Sequence, residues 1–292
     1  MSIKAEIIAD SLNPIGKRLT SFIVRFPRIV LAELNTHRAL SKNSASSRAI
    51  PFEKMVEMVK SDPFIPTAFQ KDHKGMQGTE FYQGGDHQDC VADWLNARDK
   101  AVGAATGFTH PVTKQLRNRL LEPFMWHTVI LSGTEFENFF ALRAHKDAEI
   151  HIQELAYKML EEYNKSIPKQ LKEGDFHIPF GGKIDETLLF SYVPYSVPED
   201  EVEKSITEMK IKVAIARCAR ISYLNYEGKD DYKADIKLCE RLFGSTPRHL
   251  SPTEHVAQAM NDDNPCGNFK GFKQYRYFFQ DQDLQDSRVI KK

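Results

Sequence analysis

An apolar, β-branched stretch, Leu19–Leu34, that runs straight into a polar one, Thr36–Arg48, constrains this chain more than any other feature. The first reads as a strand that needs cover, and Pro27 within it marks an edge or a break. The second packs His37, Arg38, Ser41, Asn43, Ser46 and Arg48 behind that strand. Such a strand-to-loop edge suits a small anionic ligand, because arginine forks and hydroxyls match phosphate oxygens. It equally suits a polar loop that caps a helix.

Around this feature the chain alternates strand and helix patterns. Ile3–Ala9 reads as a strand. Pro51 opens PFEKMVEMVK as the first turn of a helix. Residues 62–90 lack periodicity and read as a long surface excursion. From Phe136 to Tyr163, Ile152, Leu155, Ala156, Met159 and Leu160 fall on one helical face. Residues 166–208 read as a connector with one short strand, and helices are expected over Ile206–Arg220 and Tyr232–Phe243. The chain therefore divides into 1–165, the connector, and 209–292, together forming a single catalytic domain of 1–292.

Charge narrows the partners. Forty Lys plus Arg balance forty Asp plus Glu, which argues against a polymeric nucleic-acid partner. No stretch approaches the roughly 20 apolar residues of a membrane helix, and no signal peptide is expected, so the cytoplasm is the expected location. Cys90, Cys218, Cys239 and Cys266 are scattered, and no metal-ligand spacing occurs among the histidines, so no metal is expected.

Three further segments carry chemistry: CARISY with RHLSPTEHV, RLLEPFMWHT, and NFFALRAHKDAEIHIQELA. In the second of the first pair, a helix starting near Ser251 or Pro252 would offer free backbone N–H groups to an anion, while Ser251 and Glu254 alternatively fit a capping box. Together with THRALSKNSASSR, these segments resemble the flavin-dependent thymidylate synthases. That family's RHRxxSxNxxSxRY signature is matched at His37, Arg38, Ser41, Asn43, Ser46 and Arg48, with Thr36 and Ala49 departing from it. Its ARxSY and GHxSPFEH segments are matched by CARISY and by His249, Ser251, Pro252, Glu254 and His255. Arg119, Pro123, Asn138, Phe139, Leu142 and Arg143 match its remaining segments. Glu33, Ser44, Glu149 and His151 depart from family positions near the nucleotide or flavin. The motif order differs from the family's usual one and looks circularly permuted.

The resemblance implies an α+β fold with a mixed or antiparallel sheet and helices, and a homotetramer. It implies a C1 transferase that methylates dUMP, with methylene-tetrahydrofolate as carbon donor and reduced FAD, refilled by NADPH, as hydride donor. A hydroxymethylase or methylase of dUMP or dCMP would share these motifs, and so would a non-catalytic nucleotide- or flavin-binding protein. Arg143 and Arg119 are implied at the reacting nucleotide, with Ser46 and Arg48 beside them. His37, Arg38, Asn43, Asn138, His249, Ser251 and Glu254 are implied at the flavin. Gln274 and Arg276 are expected to reach the nucleotide in place of the groups missing at Glu33 and Thr36. A Pro-Cys-His nucleophile, as in folate-only thymidylate synthases, is echoed only faintly by Pro265-Cys266-Gly267.

Overall fold

The computed structural model describes residues 2–75, 78–223, 231–246 and 248–279. The half expected over 209–292 thus includes residues 224–230, 247 and 280–292, which lie outside the described ones.

Strand β2 (Arg18–Pro27) lies at the centre of the main sheet and is buried almost throughout. It pairs antiparallel with β1 (Lys4–Leu12) on one side and β4 (Trp126–Gly133) on the other. Beyond β4 lies the edge strand β3 (Ser41–Ser44), and beyond β1 the short parallel strand β5 (Lys169–Gln170). The sheet is therefore mixed, as expected. A strand's side chains alternate between faces, and both faces of β2 find apolar cover. Phe22, Val24 and Phe26 pack with helix α6 (Ile150–Lys165) through Ile152, Leu155, Ala156 and Met159. Ile23 faces the other way, with Ile8, Ile130, Phe180, Cys218 and Ile221.

The expected strand Leu19–Leu34 is shorter than its apolar run. Proline has no N–H for a ladder, and β2 ends at Pro27. Helix α1 (Leu31–Asn35) follows, and its first four residues, Leu31, Ala32, Glu33 and Leu34, are good helix formers. Helix α2 (Phe52–Ser61) starts as expected behind Pro51. The excursion is shorter than expected, because helix α3 (Gly84–Thr106) begins inside it. Trp94, Ala101, Val102 and Ala105 of α3 pack on Met55 and Val59 of α2, and the Trp94 indole donates to Phe64 O (2.8 Å). Helix α4 (Lys114–Arg117) and a 3₁₀ segment, Asn118–Phe124, lead into β4. The Phe136–Tyr163 pattern is split into α5 (Glu137–Arg143) and α6. Glu149 caps α6 by accepting from the N–H groups of His151 (2.9 Å) and Ile152 (3.1 Å), and its other oxygen bonds the His151 ring (2.5 Å), so the two departures at Glu149 and His151 form one local pair. Burial opposes the Glu149 charge, but His151 and those backbone donors hold its carboxyl below the usual range.

The connector contains β5, a second short strand β6 (Phe176–His177) and helix α7 (Glu186–Phe190). Helices α8 (Val202–Arg220) and α9 (Tyr232–Gly244) follow and pack on each other. Strand β7 (Ala257–Ala259) then pairs with β6 and with β10 (Phe272–Gln274), and β8 (Pro265–Cys266) with β9 (Phe269–Lys270) forms a hairpin. No helix among the described residues is long and apolar enough to cross a membrane.

Candidate functional site

The polar run after β2 is stitched to the end of α8. Asn43, on edge strand β3, donates its amide to Cys218 O (2.7 Å), and Ser46 N–H donates to Ser222 O (3.2 Å). Beyond this seam opens a cleft of about 390 Å³, lined by Asn43, Arg220, Ser222, Arg241, His249 and Ser251 among others. No Asp or Glu is among the described residues that line it. Two cations, an imidazole and hydroxyls make a donor set that fits phosphate oxygens. Asp235 lies behind the wall and accepts from Arg220 Nε (2.7 Å), with Arg217 Nε at 3.9 Å, which fixes the Arg220 stem. Burial pushes the Asp235 carboxyl up, and the two guanidiniums oppose that shift.

The wall that carries Ser251 departs from expectation. Ser251–His255 is one 3₁₀ turn, and Ser251 makes no side-chain cap. The chain turns extended at Val256 to enter β7, which leaves no room for a longer helix. Glu254 instead forms an ion pair with Arg276. Gln274 is 3% exposed, and its amide hydrogens go to Ser41 Oγ (2.8 Å) and Glu254 O (3.0 Å). Its oxygen accepts from Asn268 N–H (3.4 Å). Gln274 therefore braces the two motifs, with both of its amide hydrogens committed to the protein, and Arg276 is committed to Glu254.

A second cluster forms where α1 meets α5. Arg143, the last residue of α5, donates from Nε to His37 Nε2 (3.0 Å) and from Nη2 to Thr36 Oγ1 (3.3 Å). The His37 ring meets the Phe139 ring edge-on at 4.9 Å. Burial, then Arg143 and Lys42, lowers the His37 pKa to about 4, so the ring is neutral at pH 7. Burial likewise lowers Lys42 to about 8, and its ammonium donates to the carbonyls of His37 and Leu40. Arg143 also borders a second, open cleft of about 460 Å³ with His145 and Asp147.

The remaining expected site residues stand apart from both clefts. Arg38, Arg48, Arg119 and Asn138 are exposed, and Ser46 is half-buried. Arg48 Nε donates to Gln115 (3.3 Å). The cysteines are free, and burial raises the Cys218 and Cys239 thiols, the latter to about 12. Cys266 is half-buried in the β8–β9 hairpin and lines neither cleft.

Many solved structures are similar to this chain, and two of them illustrate the likeness. One is a UMP/dUMP methylase, PolB, from Streptomyces cacaoi bound with 5-Br UMP, at 16% identity and TM-score 0.45, covering 56% of this chain and 91% of that one. The other is Thymidylate Synthase X (ThyX) from Helicobacter pylori with FAD and dUMP, at 16% identity and TM-score 0.35, covering 50% of this chain and 67% of that one. No family model and no curated protein matches.

Three features of the site were not anticipated from the sequence. Arg220 and Arg241 supply the positive charge of the cleft; Arg220 stood inside the CARISY segment with no role given to it, and Arg241 had no signal beyond its place on α9. Thr36, read as a departure, accepts from Arg143. A buried polar chain also links the sheets. It runs from Ser11 Oγ to His177 Nδ1 (2.9 Å), from His177 Nε2 to Ser21 Oγ (2.9 Å), on to Ser132 Oγ (2.5 Å) and to His255 Nδ1 (2.9 Å). Serines inside otherwise apolar strands were its only trace in the sequence.

Proposed function

We propose that this protein is a flavin-dependent methylase of a pyrimidine nucleotide, dUMP in the first instance, that takes its carbon from methylene-tetrahydrofolate. The single observation that carries the reading is the seam itself. Asn43 and Ser46 of the polar run bond to the CARISY segment, and Ser251 and His249 face the same cleft. Segments far apart in sequence thus meet around a cationic, hydroxyl-rich recess.

The donor set of that recess fits the phosphates of FAD, with Asn43, Ser222, His249 and Ser251 as its holders and Arg220 and Arg241 as its cations. When bound, FAD supplies the hydride, and NADPH restores it. The protein's own work is to hold and to polarise. Arg143 receives the pyrimidine ring and stabilises negative charge as it builds on the ring oxygens. Ser46, Arg48 and Arg119 receive phosphate and sugar. Glu254 and Arg276 hold the recess wall. Arg48 and Arg119 point outward from this chain, so we assign them to a site completed by neighbouring copies in a homotetramer.

The test is a titration with FAD, followed by incubation with labelled methylene-tetrahydrofolate, NADPH and either dUMP or dCMP, with the product weighed. The reading expects saturable FAD binding and a dUMP product heavier by one methyl group. A mass gain of a hydroxymethyl group, or turnover of dCMP alone, transfers the assignment to the hydroxymethylase or the cytosine enzyme. Absence of FAD binding at high-micromolar concentration removes the proposal.

A further inference from the structure

Arg143 ends a short helix, where a long flexible side chain would ordinarily sample many rotamers. Here one edge of its guanidinium is occupied. Nε donates to His37 Nε2 and Nη2 donates to Thr36 Oγ1, while Nη1 makes no hydrogen bond or ion pair with the described residues. Both acceptors are themselves fixed. A guanidinium can only donate, so His37 accepts at Nε2 and its neutral ring keeps the proton on Nδ1. The Phe139 ring fixes the imidazole plane, and the Lys42 ammonium fixes the backbone on either side through the carbonyls of His37 and Leu40. The Thr36 hydroxyl spends its hydrogen on Glu33 O (2.7 Å), so a lone pair is what remains for Arg143.

We infer that Thr36 and His37 are positioning residues for Arg143, holding one edge of the guanidinium so that its Nη1 end is presented to a ligand with acceptor atoms on a pyrimidine ring. The inference rests on the proposal above that Arg143 receives the nucleotide. Thr36 thereby has a task of its own, and the hydroxyl at this position orients a cation already present on α5. The His37 contact is the better shielded of the two, and Thr36 lies at the exposed edge, so His37 carries the larger effect.

A double-mutant cycle tests this on the FAD-loaded full chain, with dUMP and dCMP affinity read by calorimetry and FAD affinity measured alongside. Thr36→Val removes the acceptor and keeps the shape. It should weaken binding of the accepted nucleotide roughly three- to tenfold, the range of one hydrogen bond, and Thr36→Ser should restore most of that loss. His37→Phe keeps the ring against Phe139 and should weaken binding on the order of tenfold or more. In an Arg143→Ala background both changes should fall within about twofold, because nothing is left to position. Equal losses with and without Arg143 overturn the inference and leave the proposed function standing. No loss with Thr36→Val in the parent overturns the Thr36 part. A loss of FAD affinity with His37→Phe that persists without Arg143 assigns His37 to the cofactor and overturns its positioning role. Unchanged nucleotide binding in Arg143→Ala alone overturns the reading beneath, and this inference with it.

Discussion

At the scale of single residues, the polar run after β2 does two jobs that its composition does not separate. Asn43 and Ser46 spend hydrogen bonds on α8 and the turn behind it, and so build the recess. Arg48 spends only a long contact on Gln115 at the surface. Arg48→Ala should therefore leave folding intact, since exposed polar contacts of this kind contribute little. If Arg48 receives the nucleotide phosphate, calorimetry should show dUMP affinity falling roughly ten- to a hundredfold, the scale of a charge-assisted hydrogen bond. FAD affinity should stay near the parent value. Parent-like dUMP binding would remove Arg48 from the site.

At the scale of elements, legibility tracked how completely a pattern declares its partner. Helix α6 shows a full apolar face, and Ile152, Leu155, Ala156 and Met159 are all fully buried. Leu155→Ala should cost about 2–5 kcal/mol of unfolding free energy in urea titration, the usual range for a packed leucine. A cost below about 1 kcal/mol would mean that the β2–α6 layer tolerates a void. Helix α3 shows a sparse stripe, with Trp94, Ala101, Val102 and Ala105 set among charged residues, and residues before it are irregular. That pattern does not register as a helix face without its partner α2 in view. The 3₁₀ turn at Ser251 was illegible for the opposite reason. Its sequence satisfies a helix-start pattern, but β7 follows at once and the pairing of β7 with β6 and β10 wins. Gln274 and Arg276 were legible as polar groups near the site, but their partners are protein atoms contributed by other segments.

At the scale of the whole molecule, the buried histidines set a pH response. Burial lowers His177 and His255 to about 3, and burial with Arg28 does the same for His127. In the unfolded chain each would titrate near the ordinary value of about 6.5. A folded pKa below the unfolded one means that the unfolded state binds more protons in the interval between them. Stability is then fully present above about pH 6.5 and is lost as pH falls toward 3, at up to about 1.4 kcal/mol per pH unit for each histidine. Urea midpoints should hold level from pH 7.5 to about pH 6.5 and then fall as the pH drops to about 4. In His255→Gln the slope should flatten, because one proton-binding site has gone. A flat profile in the parent would mean that these rings keep access to solvent.

The bond between Gln274 and Ser41 joins residues 233 positions apart. A ribosome releases the chain from one end, so the sheet of β1, β2, β3 and β4 is complete in sequence long before β10 exists. During that interval Ser41 and Asn43 stand at an open sheet edge, and an open edge is a template for stray strand pairing. Among the described strands β10 emerges last, and the Gln274 side chain it carries is what ties Ser41 of that border to the Glu254 turn. A border that opens with the first strands is thus latched by a side chain from the last described one.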